Sequence, residues 1–95
     1  MASQVKLNQQ ILSISGDLTF ATVQALHCAV NKLPRAFESD LEVDFAATTK
    51  VDTASLAFCL GIERMMSDGF AVSYKNVPPA MVLIAESVGI ESLFN

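Results

Sequence analysis

Apolar positions along the chain switch repeatedly between alternating and helical spacing, and each switch marks an element. Residues 5–7 and 11–15 read as two short strands. Ile11, Leu12 and Ile14 carry the apolar signal, and Asn8-Gln9-Gln10 makes the turn between the strands. Gly16-Asp17 closes the second strand, and Thr19 is placed to cap a helix start. Phe20, Val23, Leu26, Val30 and Leu33 then recur at three- and four-residue spacing, the apolar face of an amphipathic helix that Pro34 ends.

After a polar loop, Glu38-Ser39-Asp40, the alternation of Leu41, Val43 and Phe45 with Glu42 and Asp44 predicts a third strand buried on one face. A hydroxyl-rich loop, 46–51, leads to a helix over about 53–67, which Gly69 stops. Phe70, Val72 and Tyr74 share one side of a fourth strand. Val77-Pro78-Pro79 turns the chain into a helix over about 80–87, and Ile90, Leu93 and Phe94 form a short closing element. The order is ββαβαβα with a tail. Strands that alternate with helices favour an α/β fold with right-handed crossovers. The expectation is a four- to five-stranded mixed sheet with about four helices, mostly packed on one face, as a single domain over 1–95.

Composition supports a core: 52% of residues are hydrophobic and 17% are charged, unlike a disordered chain. A net charge of -4, with six basic residues scattered from Lys6 to Lys75, disfavours nucleic-acid binding and direct contact with an anionic membrane. The longest near-apolar segment, 54–62, is too short to span a bilayer, so no direct membrane insertion is expected. The first six residues lack a basic region followed by an apolar one, so no secretory signal is expected. Cys28 and Cys59 fall in helical segments without CxxC spacing and read as reduced packing thiols of a cytoplasmic protein.

Catalytic patterns are missing from the sequence. His27 is the sole histidine and lies beside an apolar helical stripe, the two cysteines lack zinc-ligand spacing, and the four glycines form no phosphate-binding motif. Asp40 and Glu42 read as a solvated face. No enzyme activity, metal or cofactor is expected.

The segment Val51-Asp52-Thr53-Ala54-Ser55-Leu56 joins a strand end to a helix start. Unpaired amide groups and the positive end of the helix dipole there stabilise negative charge, so a phosphorylated threonine would be tolerated. Equally, Asp52 or Thr53 serves as a helix cap, and the two roles are compatible. The helix that follows is apolar on almost every side through Ile62. Its polar residues (Glu63, Arg64, Ser67, Asp68) gather in the second half. Such a helix is covered by its neighbours or meets another protein. Thr53, Leu56 and Leu60 share a face on which an exposed strip would begin.

The order of elements, Ser15-Gly16-Asp17-Leu18, and above all Val51 to Leu56 resemble the STAS domain (sulfate transporter and anti-sigma factor antagonist) over about Ile11 to Phe94. In that family the motif is an Asp, a Ser or Thr, two small residues and a Leu. The hydroxyl residue after the Asp is the phosphorylation site of the antagonist branch. The resemblance therefore implies a partner-binding or switch segment of Asp52, Thr53, Ala54, Ser55 and Leu56, with Thr53 central and Asp52 orienting the turn.

The threonine in the motif, the bare domain and the stretch from Val77-Pro78-Pro79 to Leu93 are most similar to the MlaB branch. That branch supplies the cytoplasmic STAS subunit of the bacterial ABC complex that moves phospholipids and maintains outer-membrane lipid asymmetry. The resemblance implies a non-catalytic accessory subunit that binds the ABC transporter ATPase subunit and lies peripheral to the inner membrane through it. The alternative is an anti-sigma factor antagonist phosphorylated by an anti-sigma factor kinase. A third reading makes the apolar core a pocket for a lipid or other small ligand. Two positions depart from the family pattern. Ser55 stands where glycine is usual, and could itself compete as the modified hydroxyl; Glu63 stands where an apolar residue is common.

Overall fold

A computed structural model describes residues 3–67 and 69–94. Asp68 and the first two residues of the N-terminal reading lie outside the described residues. The elements are β1 (Gln4–Asn8), β2 (Ile11–Leu18), α1 (Val23–Asn31), β3 (Leu41–Val51), α2 (Ala54–Met65), β4 (Val72–Lys75) and α3 (Pro79–Ser87). Short 3-10 turns occupy Pro34–Phe37 and Glu91–Phe94. The mixed sheet has four strands in the order β1-β2-β3-β4; β1 pairs antiparallel with β2, and the other pairs are parallel.

Side-chain alternation makes the sheet two-faced. Leu12, Ile14, Leu41, Val43 and Phe45 are buried in one cluster with Leu26 and Val30 of α1, Phe58, Cys59 and Ile62 of α2, and Met81 of α3. The intervening positions Gln4, Lys6, Glu42, Asp44, Ser73 and Lys75 are exposed or half-buried. The helices therefore cover one face. The hairpin turn places Gln9 and Gln10 at positive φ, and the Gln10 amide donates to Ala36 O and Asp40 O, tying the hairpin to the chain before β3.

Several boundaries differ from the sequence reading. Strand β2 does not end at Gly16-Asp17 but runs on to Leu18, and the hydroxyl-rich segment 46–51 is strand rather than loop. These extensions pair with each other through two register shifts. At one of them Gly16 takes φ 84°, a conformation cheap only for glycine. The first helix starts at Val23, not after Thr19. The Thr19 carbonyl accepts from the Thr22 and Val23 amides, and Thr19 offers no side-chain cap. Phe20 consequently precedes the helix and is 72% exposed instead of lying on the core face. Helix α2 stops at Met65 because Met66 is extended and the Ser67 amide bonds to Phe37 O. Phe70 lies outside β4 and is exposed.

Candidate functional site

The parallel strands β2 and β3 end beside each other, and each is followed by a helix whose amino end rises from that edge of the sheet. Asp52 sits at the second of these junctions. Its Oδ1 accepts from the Ala54 amide at 2.8 Å, inside the first turn of α2. Its Oδ2 accepts from the Phe20 amide at 3.1 Å, in the segment before α1. One carboxylate thus satisfies a donor at the start of α2 and fixes that helix to the segment leading into its neighbour.

Thr53 follows with helical backbone angles, an exposed side chain and no side-chain cap bond. Of the two capping candidates, Asp52 performs the task and Thr53 keeps its hydroxyl free of it. The other motif residues turn inward. Ala54 and Leu56 are 2% and 5% exposed, and Ser55 is 0% exposed with its hydroxyl donating to Asp52 O at 2.7 Å. Ser55 is therefore no competitor for modification in the folded state, because neither its surface nor its hydrogen is available. The serine fills the site of the family's usual glycine by bonding back across the first helical turn.

The burial of Leu56 also corrects the outward face of α2. The exposed row is Thr53, Ala57, Leu60 and Arg64, at spacings of four, three and four, instead of Thr53, Leu56 and Leu60. Neighbouring helices cover the inner side of α2, and this row stays uncovered. Beside it a surface groove of about 580 Å³ separates α2 from α1, with Val23, His27, Ala57, Leu60 and Arg64 among its lining. Gly61 in its floor lets the His27 ring approach closely: a Cβ there would lie 2.9 Å from His27 Cε1. Phe58 of the core cluster reaches the groove's lining, and its other walls, such as Ala57, Leu60 and Arg64, are exposed.

Two contributors were missed in the sequence. The spacing of Phe20 alone places it on the helix stripe, whereas it precedes α1. Asp17 stands at the expected end of β2, inside the observed strand, and joins three segments there. Its carboxylate takes the Thr49 hydroxyl at 2.6 Å and the Lys50 amide at 3.3 Å, and its carbonyl takes the Ser3 and Thr22 hydroxyls. The Ser-Gly-Asp-Leu run was the one available signal, since a glycine inside a strand pattern marks an irregular pairing.

Comparison with known proteins follows the same outline. A protein-family model described as "Mlab, STAS domain" matches residues 1–95. The chain belongs to the STAS domain family. Among solved structures, the fold of this STAS domain is similar to that of the anti-sigma factor antagonist SpoIIAA in its unphosphorylated form. The TM-score is 0.64 at 16% sequence identity, over 90% of this chain and 82% of that chain. A likeness at that identity concerns the fold. Among proteins of curated function, none matches the sequence.

The titratable groups of this STAS domain separate by environment. Hydrogen bonds from Thr49 and Lys50 hold the Asp17 carboxyl below its usual range, and those from Asn76 and Ala46 do the same for Asp44. Burial, reinforced by Glu63, pushes the Cys59 thiol and the Tyr74 phenol up, which leaves both protonated and unreactive. Tyr74 stacks on Phe45 and meets the edge of Phe94, anchoring the closing turn to the sheet. No cluster of metal-ligating side chains occurs among the described residues, and no helix there is long and apolar enough to cross a membrane.

Proposed function

We propose that this STAS domain is a non-catalytic accessory subunit that binds and supports the ATPase of a bacterial phospholipid-transporting ABC complex. It would work in the cytoplasm, held at the inner membrane through that partner. The observation that carries the reading is the division of labour at the α2 start: both Asp52 carboxylate oxygens accept from internal amides, while Thr53 stands exposed with no side-chain hydrogen bond among the described residues. A partner can therefore bond to Thr53 without breaking a bond that holds the fold. The Mlab description of the matching family model supports the phospholipid-transport branch.

A second reading, an anti-sigma factor antagonist switched by phosphorylation of Thr53, is supported by the fold likeness to SpoIIAA. Both readings use the same residue, and the partner tells them apart. Phosphate or glutamate at Thr53 would sit at the positive end of the α2 dipole, leaving the fold intact while changing the docking surface.

The test is co-expression of the tagged domain with the ABC ATPase and, separately, with an anti-sigma factor kinase. Wild type is expected to co-purify the ATPase. Thr53→Glu is expected to weaken that binding at least about tenfold with an unchanged melting temperature, because a charge then enters a desolvated contact. If Thr53→Ala and Thr53→Glu both retain wild-type affinity, Thr53 is not the contact. Capture of the kinase and not the ATPase would establish the second reading.

A further inference from the structure

We propose that the closing turn, Glu91–Phe94, is a displaceable guard on the outer edge of β4, and that its displacement lets β4 pair with β4 of a second copy of this chain. The device is independent of the partner that Thr53 meets.

Backbone register decides what β4 offers at that edge. The strand is last in the sheet and pairs parallel with β3, Leu41 lying opposite Val72 and Val43 opposite Tyr74. The Leu41 amide donates to Ala71 O, so the following bonds of this parallel ladder fall on Ser73 and Lys75 of β4. Val72 and Tyr74 therefore direct their amides and carbonyls away from the sheet. Such a row of groups is a template for another strand. The opposite edge strand, β1, carries the exposed Lys6 at its centre, a charge that discourages pairing. In β4 the one charge, Lys75, stands at the end of the strand. Protection of this edge has to come from elsewhere.

The closing turn supplies it. Gly89 takes φ 80° at the end of α3, and the Ile90 amide donates back to Ala85 O at 2.9 Å, which reverses the chain. Phe94 then meets the Tyr74 ring edge-on, with 5.4 Å between centroids. Leu93 and Phe94, with Val72, Ser73 and Tyr74, line a cavity of about 200 Å³. The turn thus leans over the strand without filling the space against it. Leu93 and Phe94 are only partly buried and pack on the rim of the core cluster. They can swing away without opening its buried members.

Symmetry identifies the strand that takes the turn's place. Antiparallel pairing about a two-fold axis at Ser73 sets Val72 opposite Tyr74 of the second copy, and Tyr74 opposite its Val72. Each outward amide then meets an outward carbonyl, and side chains of one face stay on one face. Lys75 falls opposite Ala71, so no like charges meet.

The test is sedimentation velocity at rising protein concentration on wild type, Phe94→Ser and Leu93→Ser/Phe94→Ser, each with and without Val72→Pro. Melting temperature is the control for folding. Proline at the first residue of an edge strand removes an outward amide and no bond to β3. Leu93→Ser/Phe94→Ser is expected to move toward twice the wild-type mass as concentration rises, Phe94→Ser less far, and Val72→Pro to return both to the wild-type mass. A folded double variant that keeps the wild-type mass overturns the proposal; should the double variant unfold, Phe94→Ser is read the same way. Doubling that persists with Val72→Pro overturns it as well, because bared apolar side chains rather than strand edges would then join the copies. Loss of the fold on Phe94→Ser alone would make the turn part of the core, and self-association of wild type that Val72→Pro abolishes would show the edge already open. Either result overturns the guard.

Discussion

The Asp52 carboxylate and the Phe20 amide, 32 residues apart in the chain, meet at 3.1 Å where the first two parallel strands end. The same carboxylate caps α2 through Ala54. Fold stability and the position of the proposed docking surface therefore depend on one side chain that a partner need never touch.

Asp52→Ala is expected to lower stability by about 1–2 kcal/mol, the usual worth of a helix cap with a further charge-assisted bond. For a domain of this size that corresponds to a melting-temperature drop of roughly 4–16 °C. Thr53→Ala is expected to change it by less than about 0.5 kcal/mol, since no cap bond is lost. Urea denaturation of the two variants measures the contrast; equal losses would reassign the cap to the threonine.

Ser55→Gly, which restores the residue more usual in the family, is expected to destabilise by about 1–2 kcal/mol. It removes the bond to Asp52 O and puts glycine in the first turn of a helix. Thermal melts of the single variant test this, and a gain in stability would mean that the serine is strained.

Gly16→Ala is expected to cost about 1–3 kcal/mol. The residue has φ 84°, and an added Cβ would lie 2.9 Å from Ser3 Oγ and 3.0 Å from Ser3 Cα. Gly89→Ala shares the positive φ but has open space around it, so the excess loss at Gly16 measures the steric part.

Thiol labelling should distinguish the two free cysteines. Cys28 is exposed and Cys59 is buried with its thiol held protonated. One equivalent of a disulfide reagent is expected to react rapidly in the native state and the second only on unfolding. Fast reaction of both would place Cys59 at the surface.

Asp17 and Asp44 have carboxyl groups held below their ordinary range in the folded state. The unfolded chain then binds more protons as pH falls, so the stabilisation present above about pH 4 is lost as pH drops through the folded-state values. Asp17→Asn and Asp44→Asn are expected to flatten this acid-side decline in denaturation midpoints measured between about pH 2 and pH 6. An unaltered slope in both would show that other groups govern it.

The order ββαβαβα, the buried faces of β2 and β3 and a helix cap at the Asp52–Thr53 junction were legible in the chain. Each is a local property: side-chain period, cap chemistry and helix polarity follow from neighbours a few residues apart. Tertiary structure decided the rest. Phe20 has the spacing of a core residue, but Thr19 and Thr22 delay the helix and leave the ring outside. Leu56 and Leu60 both continue helical spacing from Thr53, yet only tertiary packing chooses which is covered: Leu56 is buried and Leu60 exposed. The extensions of β2 and β3 carry hydroxyls and a glycine that read as loop, and they become strand because each completes the other's hydrogen bonds. Single-chain periodicity fixes which residues share a face; which faces are occupied depends on elements far away in sequence, whose positions no local pattern encodes.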